Sequence, residues 1–187
     1  MSTTQVIVAF TGRKGHGKDA ASMALPDDFK LLRFADPLKN MIRSLLHDLN
    51  VAGDLIERLV EGDLKERSLG VLGGKSTRYA LQTLGTEWGR GLVSRNLWAD
   101  TFKTRSAGHP RVKVTDVRFQ DEVDAIHSLG GIVIRIYNPR RIDLSSTSLH
   151  DSETSIDALE VDRIIVNDGT LEELHDKVKK CLGLPYS

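Results

Sequence analysis

Apolar residues recur along this chain in short blocks, some alternating with period two and others spaced as on one face of a helix. Residues 6–10 are a β-branched and apolar run bounded by glycine, and read as a strand, followed by helix-compatible residues over 19–25. Residues 30–35 read as a second short strand. Asp36 then serves as a helix N-cap with Pro37 at the first helical position. The helix they open puts Met41, Ile42, Leu45, Leu46 and Leu49 on one face and leaves Lys39 and Arg43 on the other. From 51 to 74 the pattern is weakly helical around Leu55, Ile56 and Leu59, until Gly70 and the pair Gly73 and Gly74 break it. Residues 76–94 are helix-like through Tyr79, Leu81, Leu84, Trp88 and Leu92, although Gly85, Gly89 and Gly91 weaken an isolated helix. Glycines so placed predict the close approach of another group. A further helix covers 96–104, with Trp98 assigned to the core.

The C-terminal half is more regular. Residues 111–117 alternate polar and apolar and predict a strand ending near Asp116. A helix over 119–129 follows through Val123, Ile126 and Leu129, stopped by Gly130 and Gly131. Residues 132–137 are another strand. Residues 138–155 hold a proline, two adjacent arginines, serines and threonines without a core pattern, the composition of a surface excursion or mobile lid. The last strand is 163–166, and Thr170 with Glu173 makes a capping box for a closing helix through Leu171, Leu174, Val178 and Leu182. Five strands alternating with helices predict an α/β protein whose parallel sheet is covered on both faces, with ligands at the carboxyl ends of the strands. Stretches 36–104 and 138–155 then read as insertions into a single domain over 1–187.

Composition narrows the partners. At 187 residues, 40% hydrophobic and 28% charged, the chain suits one soluble globular domain. Its 26 basic residues equal its 26 acidic ones, so no global field draws it to nucleic acid or a membrane surface, and any basic site is local. The N-terminus lacks a basic leader and its apolar run is too short for a signal or span. Cys181 is the single cysteine, which excludes an intrachain disulfide. A cytoplasmic setting is expected, and Cys181, at helical spacing with Leu174 and Val178, reads as a small buried hydrophobe.

The candidate chemistry lies between the first strand and the first helix. Residues 12–19, Gly12-Arg13-Lys14-Gly15-His16-Gly17-Lys18-Asp19, match the phosphate-loop pattern except at the last position, where Asp19 replaces a hydroxyl residue. Gly12, Gly15 and Gly17 allow positive φ, so successive backbone N–H groups can cradle phosphate at the positive end of the following helix. Lys18 reaches the β and γ phosphates, and Asp19 can meet Mg²⁺ directly or through water. Asp116 ends a strand as a Walker B acid does, yet Val117 follows it where many ATPases carry a water-activating glutamate, which favours transfer over hydrolysis. A guanine-specific Asn-Lys-x-Asp motif is absent. Arg43, Arg78, Arg90, Arg118, Arg140 and Arg141 cluster in segments that should face the site, as suits phosphoryl transfer to a phosphorylated acceptor.

The segments Phe34-Ala35-Asp36-Pro37-Leu38-Lys39, Leu81-Gln82-Thr83-Leu84-Gly85-Thr86-Glu87-Trp88-Gly89-Arg90, Thr115-Asp116-Val117-Arg118-Phe119, His150-Asp151-Ser152-Glu153 and Asn167-Asp168-Gly169-Thr170 occur in this order. Together with the Gly-Lys-Asp loop they resemble the bacteriophage deoxynucleoside monophosphate kinases over nearly the whole chain. The resemblance implies a P-loop, nucleoside-kinase-like three-layer sandwich with a helical acceptor-binding insertion and a lid. It implies transfer of the ATP γ-phosphoryl group to a deoxynucleoside monophosphate, giving the diphosphate and ADP in the host cytoplasm. On that reading the loop amides from Gly12 through His16 to Asp19, with Lys18 and the extra charge of Lys14, hold ATP, and Asp19 and Asp116 organise Mg²⁺. Asn167 and Gly169 border the adenine or simply form a turn.

Asp36 lies near the acceptor or only caps its helix. Lys39, Arg43 and Arg118 are the candidates for the acceptor phosphate, although the first two equally make a solvated basic face. Gln82, Glu87, Trp88 and Arg90 border sugar and base, with Arg78 beside them; for Trp88 a core position is the commoner alternative. Arg140 and Arg141 close over the transferring group, while His150 and Glu153 carry no derivable role. Partners are then two small-molecule substrates, with neither nucleic acid nor membrane, and a homodimer is left open. Competing readings are a P-loop kinase for another phosphorylated metabolite, since the loop also resembles that of animal-type phosphomevalonate kinases, and a nucleotide sensor without turnover.

Overall fold

In chain order the computed structural model has β1 (Val6–Thr11), α1 (Lys18–Ser22), β2 (Lys30–Leu31), α2 (Asp36–Asp48), α3 (Gly53–Val60), β3 (Ser68–Leu69), β4 (Lys75–Ser76) and α4 (Thr77–Thr83). A π-helix (Leu84–Val93), α5 (Leu97–Ser106), β5 (Arg111–Val117), α6 (Gln120–Ser128), β6 (Ile132–Tyr137), β7 (Arg163–Val166) and α7 (Leu171–Leu182) follow. The structure describes residues 5–141 and 155–185. Among them no helix is long and apolar enough to cross a membrane. The chain divides into two compact units, one of Met1–Phe34 with Ala99–Ser187 and the other of Ala35–Trp98.

The first unit is built on a five-stranded parallel sheet of order β2-β5-β1-β6-β7. A strand of nearly continuous apolar residues must be buried on both faces, and β1 accordingly takes the centre. Its Ile7 and Ala9 pack with Phe102, Val114, Val123 and Ile126 on one face. Val8 and Phe10 pack with Ala21, Ile134, Leu174 and Val178 on the other. The alternation along β1 thus produces two cores and three layers, α5 and α6 covering one face and α1 and α7 the other. The capping box of α7 forms as the sequence predicts, with Thr170 Oγ1 accepting from the Glu173 N–H at 3.2 Å and Glu173 Oε2 accepting from the Thr170 N–H at 2.8 Å. Cys181 is partly buried against the second core, and burial pushes its thiol pKa up, as a packing role requires.

Three element boundaries differ from the sequence reading. The strand expected over 30–35 pairs only at Lys30 and Leu31. Past them the Leu32 N–H still donates to the Lys113 carbonyl at 3.0 Å, but the Phe34 N–H turns to the Asp116 carboxylate at 3.1 Å, so a side chain replaces the ladder. Next, α1 stops at Ser22, because Met23, Ala24 and Leu25 donate three residues back, to Ala20, Ala21 and Ser22, in the tighter turns that precede Pro26. Finally, Asp36 is not the N-cap of α2. The Lys39 N–H reaches the Ala35 carbonyl at 3.0 Å, so Ala35 caps the helix and Asp36 enters its first turn, where the helix dipole favours a carboxylate.

In the second unit, Ile42 and Leu46 of α2 pack on Ile56, Leu59 and Val60. The buried Thr77 hydroxyl donates to the Leu59 carbonyl. The hairpin β3–β4 was not predicted, since two-residue strands are too short to leave a period in the sequence. The larger departure is the π-helix that continues α4. Its wider turn moves successive side chains off the positions that a spacing of 3.6 assigns. Trp88 and Leu92, placed on the apolar face by that spacing, are exposed, and Leu92 is 81% exposed; Tyr79, on the regular α4 before it, is exposed as well. Trp88 is therefore not a core residue.

The close approach predicted at the glycines occurs at Gly89. A Cβ there would lie 2.5–2.7 Å from atoms of the Trp98 indole, which is buried and donates through Nε1 to the Gly85 carbonyl at 2.8 Å. Gly89→Ala must displace that ring and is expected to destabilise the chain by about 2–3 kcal/mol. Urea unfolding of the full chain checks this, and an unchanged midpoint would mean that the indole shifts without penalty.

Candidate active site

The site begins where β1 ends. β1 lies between β5 and β6, so the chain leaving Thr11 emerges between their carboxyl ends, where open α/β sheets bind ligands. The Thr11 hydroxyl donates to the Val117 carbonyl at 2.8 Å, fixing the ends of β1 and β5 together. The loop then turns at Gly12, Gly15 and Gly17, with φ of 141°, 79° and 99°. These are the left-handed conformations expected of a phosphate cradle.

Lys18, the first residue of α1, folds back over the loop, its Nζ donating to the carbonyls of Gly12 at 2.7 Å and Arg13 at 3.0 Å. Lys14 and Asp19 are exposed. His16 differs from a residue that projects toward a ligand, because its side chain is 4% exposed and stands edge-on to Tyr137 with ring centroids 5.8 Å apart. Its Nδ1 accepts from the Asn138 N–H at 3.4 Å, and its carbonyl accepts from Asn167 Nδ2 at 3.0 Å. Histidine and asparagine therefore brace the loop from behind. Gly169 is exposed in the turn after β7, where Asp168 pairs with Lys177 at 2.6 Å, which holds the aspartate's pKa below its ordinary value.

A cavity of about 430 Å³ opens beside the loop, lined among others by Gly12, Arg13, Arg135, Tyr137, Arg141 and Asp157. Arg13 pairs with Asp157. Arg135 donates to the carbonyls of Ile156 at 3.0 Å and Leu159 at 2.8 Å, tying the turn that carries Asp157 to β6. Of the two arginines expected in a lid, Arg141 lines this cavity, while Arg140 is exposed and its N–H donates to Asn138 Oδ1 at 2.9 Å. His150 and Glu153 lie outside the described residues, as does most of the stretch 138–155.

At the end of β5, Asp116 and Arg118 lie at the same carboxyl end of the first unit's sheet as the loop. Asp116 Oδ1 accepts the Phe34 N–H. The Arg118 N–H donates to Oε2 of the buried Glu122 at 2.7 Å, which fixes the backbone where the arginine leaves the strand.

The remaining candidates belong to the second unit. Lys39 pairs with Glu61 at 2.8 Å. Arg43 grips Glu57 through Nε at 2.7 Å and a terminal nitrogen at 3.0 Å. The shared hydrogen bonds raise the Arg43 pKa and hold Glu57 below the usual carboxylate range. Arg78 pairs with Glu66 at 3.2 Å. On α4 and the π-helix, Gln82 and Arg90 are half-buried, Glu87 is exposed, and Trp88, 40% exposed, is tilted against Trp98 with ring centroids 6.3 Å apart. Asp36 is half-buried at the start of α2.

Sequence reasoning missed Arg135, Asp157, Glu57 and Glu61, and gave Arg13 no role. Only Arg135 left a readable signal, as a charge within the otherwise apolar strand 132–137. The others acquire meaning through partners distant in the chain.

The chain is similar to known proteins over much of its length. The chain is 29% identical to a protein of Acanthamoeba polyphaga mimivirus described as a deoxynucleotide monophosphate kinase, over 95% of this chain and 96% of that one. It is 31% identical to the deoxynucleotide monophosphate kinase of Enterobacteria phage T4, over 57% of this chain and 45% of the phage protein. Among solved structures, dephospho-CoA kinase from Campylobacter jejuni matches with a TM-score of 0.46 and 14% identity, over 95% of each chain. The model of the family described as deoxynucleotide monophosphate kinase matches residues 63–178, more than half of the sequence, so the chain belongs to the deoxynucleotide monophosphate kinase family.

Proposed function

We propose that this chain is an ATP-dependent kinase that transfers the γ-phosphoryl group of ATP to a deoxynucleoside monophosphate, giving the diphosphate and ADP. The observation that carries this reading is the loop itself. Its positive-φ glycines and Lys18, which donates to loop carbonyls that phosphate oxygens can replace, adjoin a cavity with three arginines in its lining. An oxygen of the acceptor's phosphate attacks the γ-phosphorus while the bond from that phosphorus to the β-bridging oxygen breaks. Lys18 and the loop N–H groups, with Lys14 beside them, neutralise the charge that builds on the leaving diphosphate. Arg140 and Arg141 cover the transferring group and limit access of water. Asn167 acts on ATP through the His16 carbonyl it holds, and Gly169 borders the adenine from the turn beside it.

The Ala35–Trp98 unit is the acceptor-binding insertion on this reading. Lys39, Arg43 and Arg118 take the acceptor phosphate. Gln82, Glu87, Trp88 and Arg90 border its sugar and base, the exposure of Trp88 fitting a stacking platform better than a core plug. Asp36 and Arg78 flank them.

Mg²⁺ carried by ATP needs only one or two protein carboxylates, because phosphates and waters supply the rest of its shell. Asp19 on the first turn of α1 and Asp116 at the end of β5 fit that need. Among the described residues no group of three or more metal-binding side chains competes with them. The ion would neutralise phosphate charge.

Coupled ADP release with Mg²⁺-ATP, against a panel of deoxynucleoside and ribonucleoside monophosphates with a no-acceptor control, tests the reading. Release that depends on a deoxynucleotide supports it, and release without acceptor would make the protein an ATPase. In the same assay Arg118→Ala is expected to raise the KM for the acceptor by about 10–100-fold, the loss of one charge-assisted hydrogen bond, with little change in the KM for ATP. An unchanged acceptor KM removes Arg118 from the site.

A further inference from the structure

We propose that Glu57 and Glu61 are built-in competitors for the acceptor phosphate, holding Lys39 and Arg43 in a phosphate-binding posture and yielding them to a dianionic monophosphate. The proposal rests on the reading that these two cations take that phosphate. Lys39 and Arg43 are four residues apart on α2, and Glu57 and Glu61 are four apart along α3 and its end, so the cations and carboxylates face each other as two rungs.

Arg43 makes a two-pronged fork to Glu57, at 2.7 and 3.0 Å, and reaches Glu61 at 3.4 Å, while Lys39 holds the other Glu61 oxygen at 2.8 Å. Asn40 Oδ1 accepts from the third nitrogen of Arg43 at 3.1 Å and so orients the guanidinium. A carboxylate offers that fork two oxygens and one charge. A phosphate monoester offers three oxygens and a charge of about −1.5 to −2 at pH 7, in the same bidentate geometry.

Exposure decides which partner moves. The Lys39 and Arg43 side chains are 15% and 28% exposed, against 58% for Glu57 and 40% for Glu61. The cations are therefore fixed by their surroundings, while each carboxylate can swing into water at little penalty. The ion pairs are not needed as a clamp between α2 and α3, because Ile42, Leu46, Ile56 and Leu59 already form an apolar seam there. Displacing both carboxylates requires more charge than a phosphodiester carries, so the same arrangement selects a terminal monophosphate.

The test is the acceptor KM at saturating Mg²⁺-ATP for the full chain carrying Glu57→Gln, Glu61→Gln or Glu57→Ala, the last removing the acceptor oxygens altogether. The KM is expected to fall by about two- to fivefold in Glu57→Ala, the strength of one such pair, while the KM for ATP stays within about twofold. In an Arg43→Gln background the Glu57 substitution should leave the acceptor KM unchanged, since nothing remains to compete for. An unchanged or higher acceptor KM in the folded Glu57 variants, with a lower thermal midpoint, would overturn the proposal and make the pairs a structural clamp. That outcome, with an active parent enzyme, leaves the kinase reading standing. A parent chain that binds ATP and turns over no deoxynucleotide overturns both.

Discussion

Replacing Lys18 with alanine is expected to lower acceptor-dependent ADP formation by about 10²–10³-fold, equivalent to roughly 3–4 kcal/mol of transition-state stabilisation, while the chain keeps its fold. The lysine lies at the start of α1, its Nζ donates to the Gly12 and Arg13 carbonyls, and it belongs to neither core of the first unit, so its removal takes no atom from them. What it removes is a positive charge at the bridge between the β and γ phosphates, where negative charge grows as the bond breaks. That interaction is stronger in the transition state than in the ground state, so kcat should fall more than the KM for ATP rises. Steady-state kinetics separate the two, and a urea midpoint within about 0.5 kcal/mol of the parent establishes that the loss is chemical. Near-normal turnover in the folded variant would remove Lys18 from the mechanism and, with it, the reading of residues 12–19 as the ATP loop.

The loop was legible because everything it needs is local. Its glycines, its lysine and the strand before it lie within a dozen residues, and the physics that links them is backbone conformation. Strands β1 and β6 were legible for a related reason, since a parallel strand buried on both faces reads as an apolar run, while β5 was legible from its alternation. Legibility ended where a residue's meaning depends on a distant partner. Asp157 looks like any polar residue of a surface turn until Arg13 is beside it. Lys39 and Arg43 look like a bare basic face because the opposing carboxylates stand on another helix. The π-helix misled the pattern differently. Gly89 correctly signalled close approach, but a spacing of 3.6 carried Trp88 and Leu92 into a core they do not join. An exposed tryptophan on an irregular helix is a better candidate for ligand contact than the buried one the pattern proposed.

Gly12→Ala should have the largest effect on stability of any single change in the loop, about 3 kcal/mol or more, and should raise the KM for ATP as well. Two physical demands meet at this position. Its φ of 141° is a conformation that side chains rarely adopt, and a Cβ there would press into the carbonyl oxygen of Ile136. That oxygen belongs to the backbone of β6, which pairs with β1 on one side and β7 on the other, so it cannot yield without distorting the centre of the sheet. The alternative is for the loop to lift away from β6, which turns its N–H groups off the positions that cradle phosphate.

Gly15→Ala is the matching control, because Gly15 also has positive φ, at 79°, but open space where the Cβ would go. It should show the conformational penalty alone, about 1–2 kcal/mol. Urea unfolding of the two variants beside the parent, with ATP titrations of each, separates the terms. If the two variants lose equal stability, the approach of Ile136 carries no weight and backbone conformation accounts for both glycines. If Gly12→Ala falls well below Gly15→Ala and also loses ATP affinity, the contact between the loop and β6 sets both the stability of the sheet's centre and the geometry of the phosphate cradle.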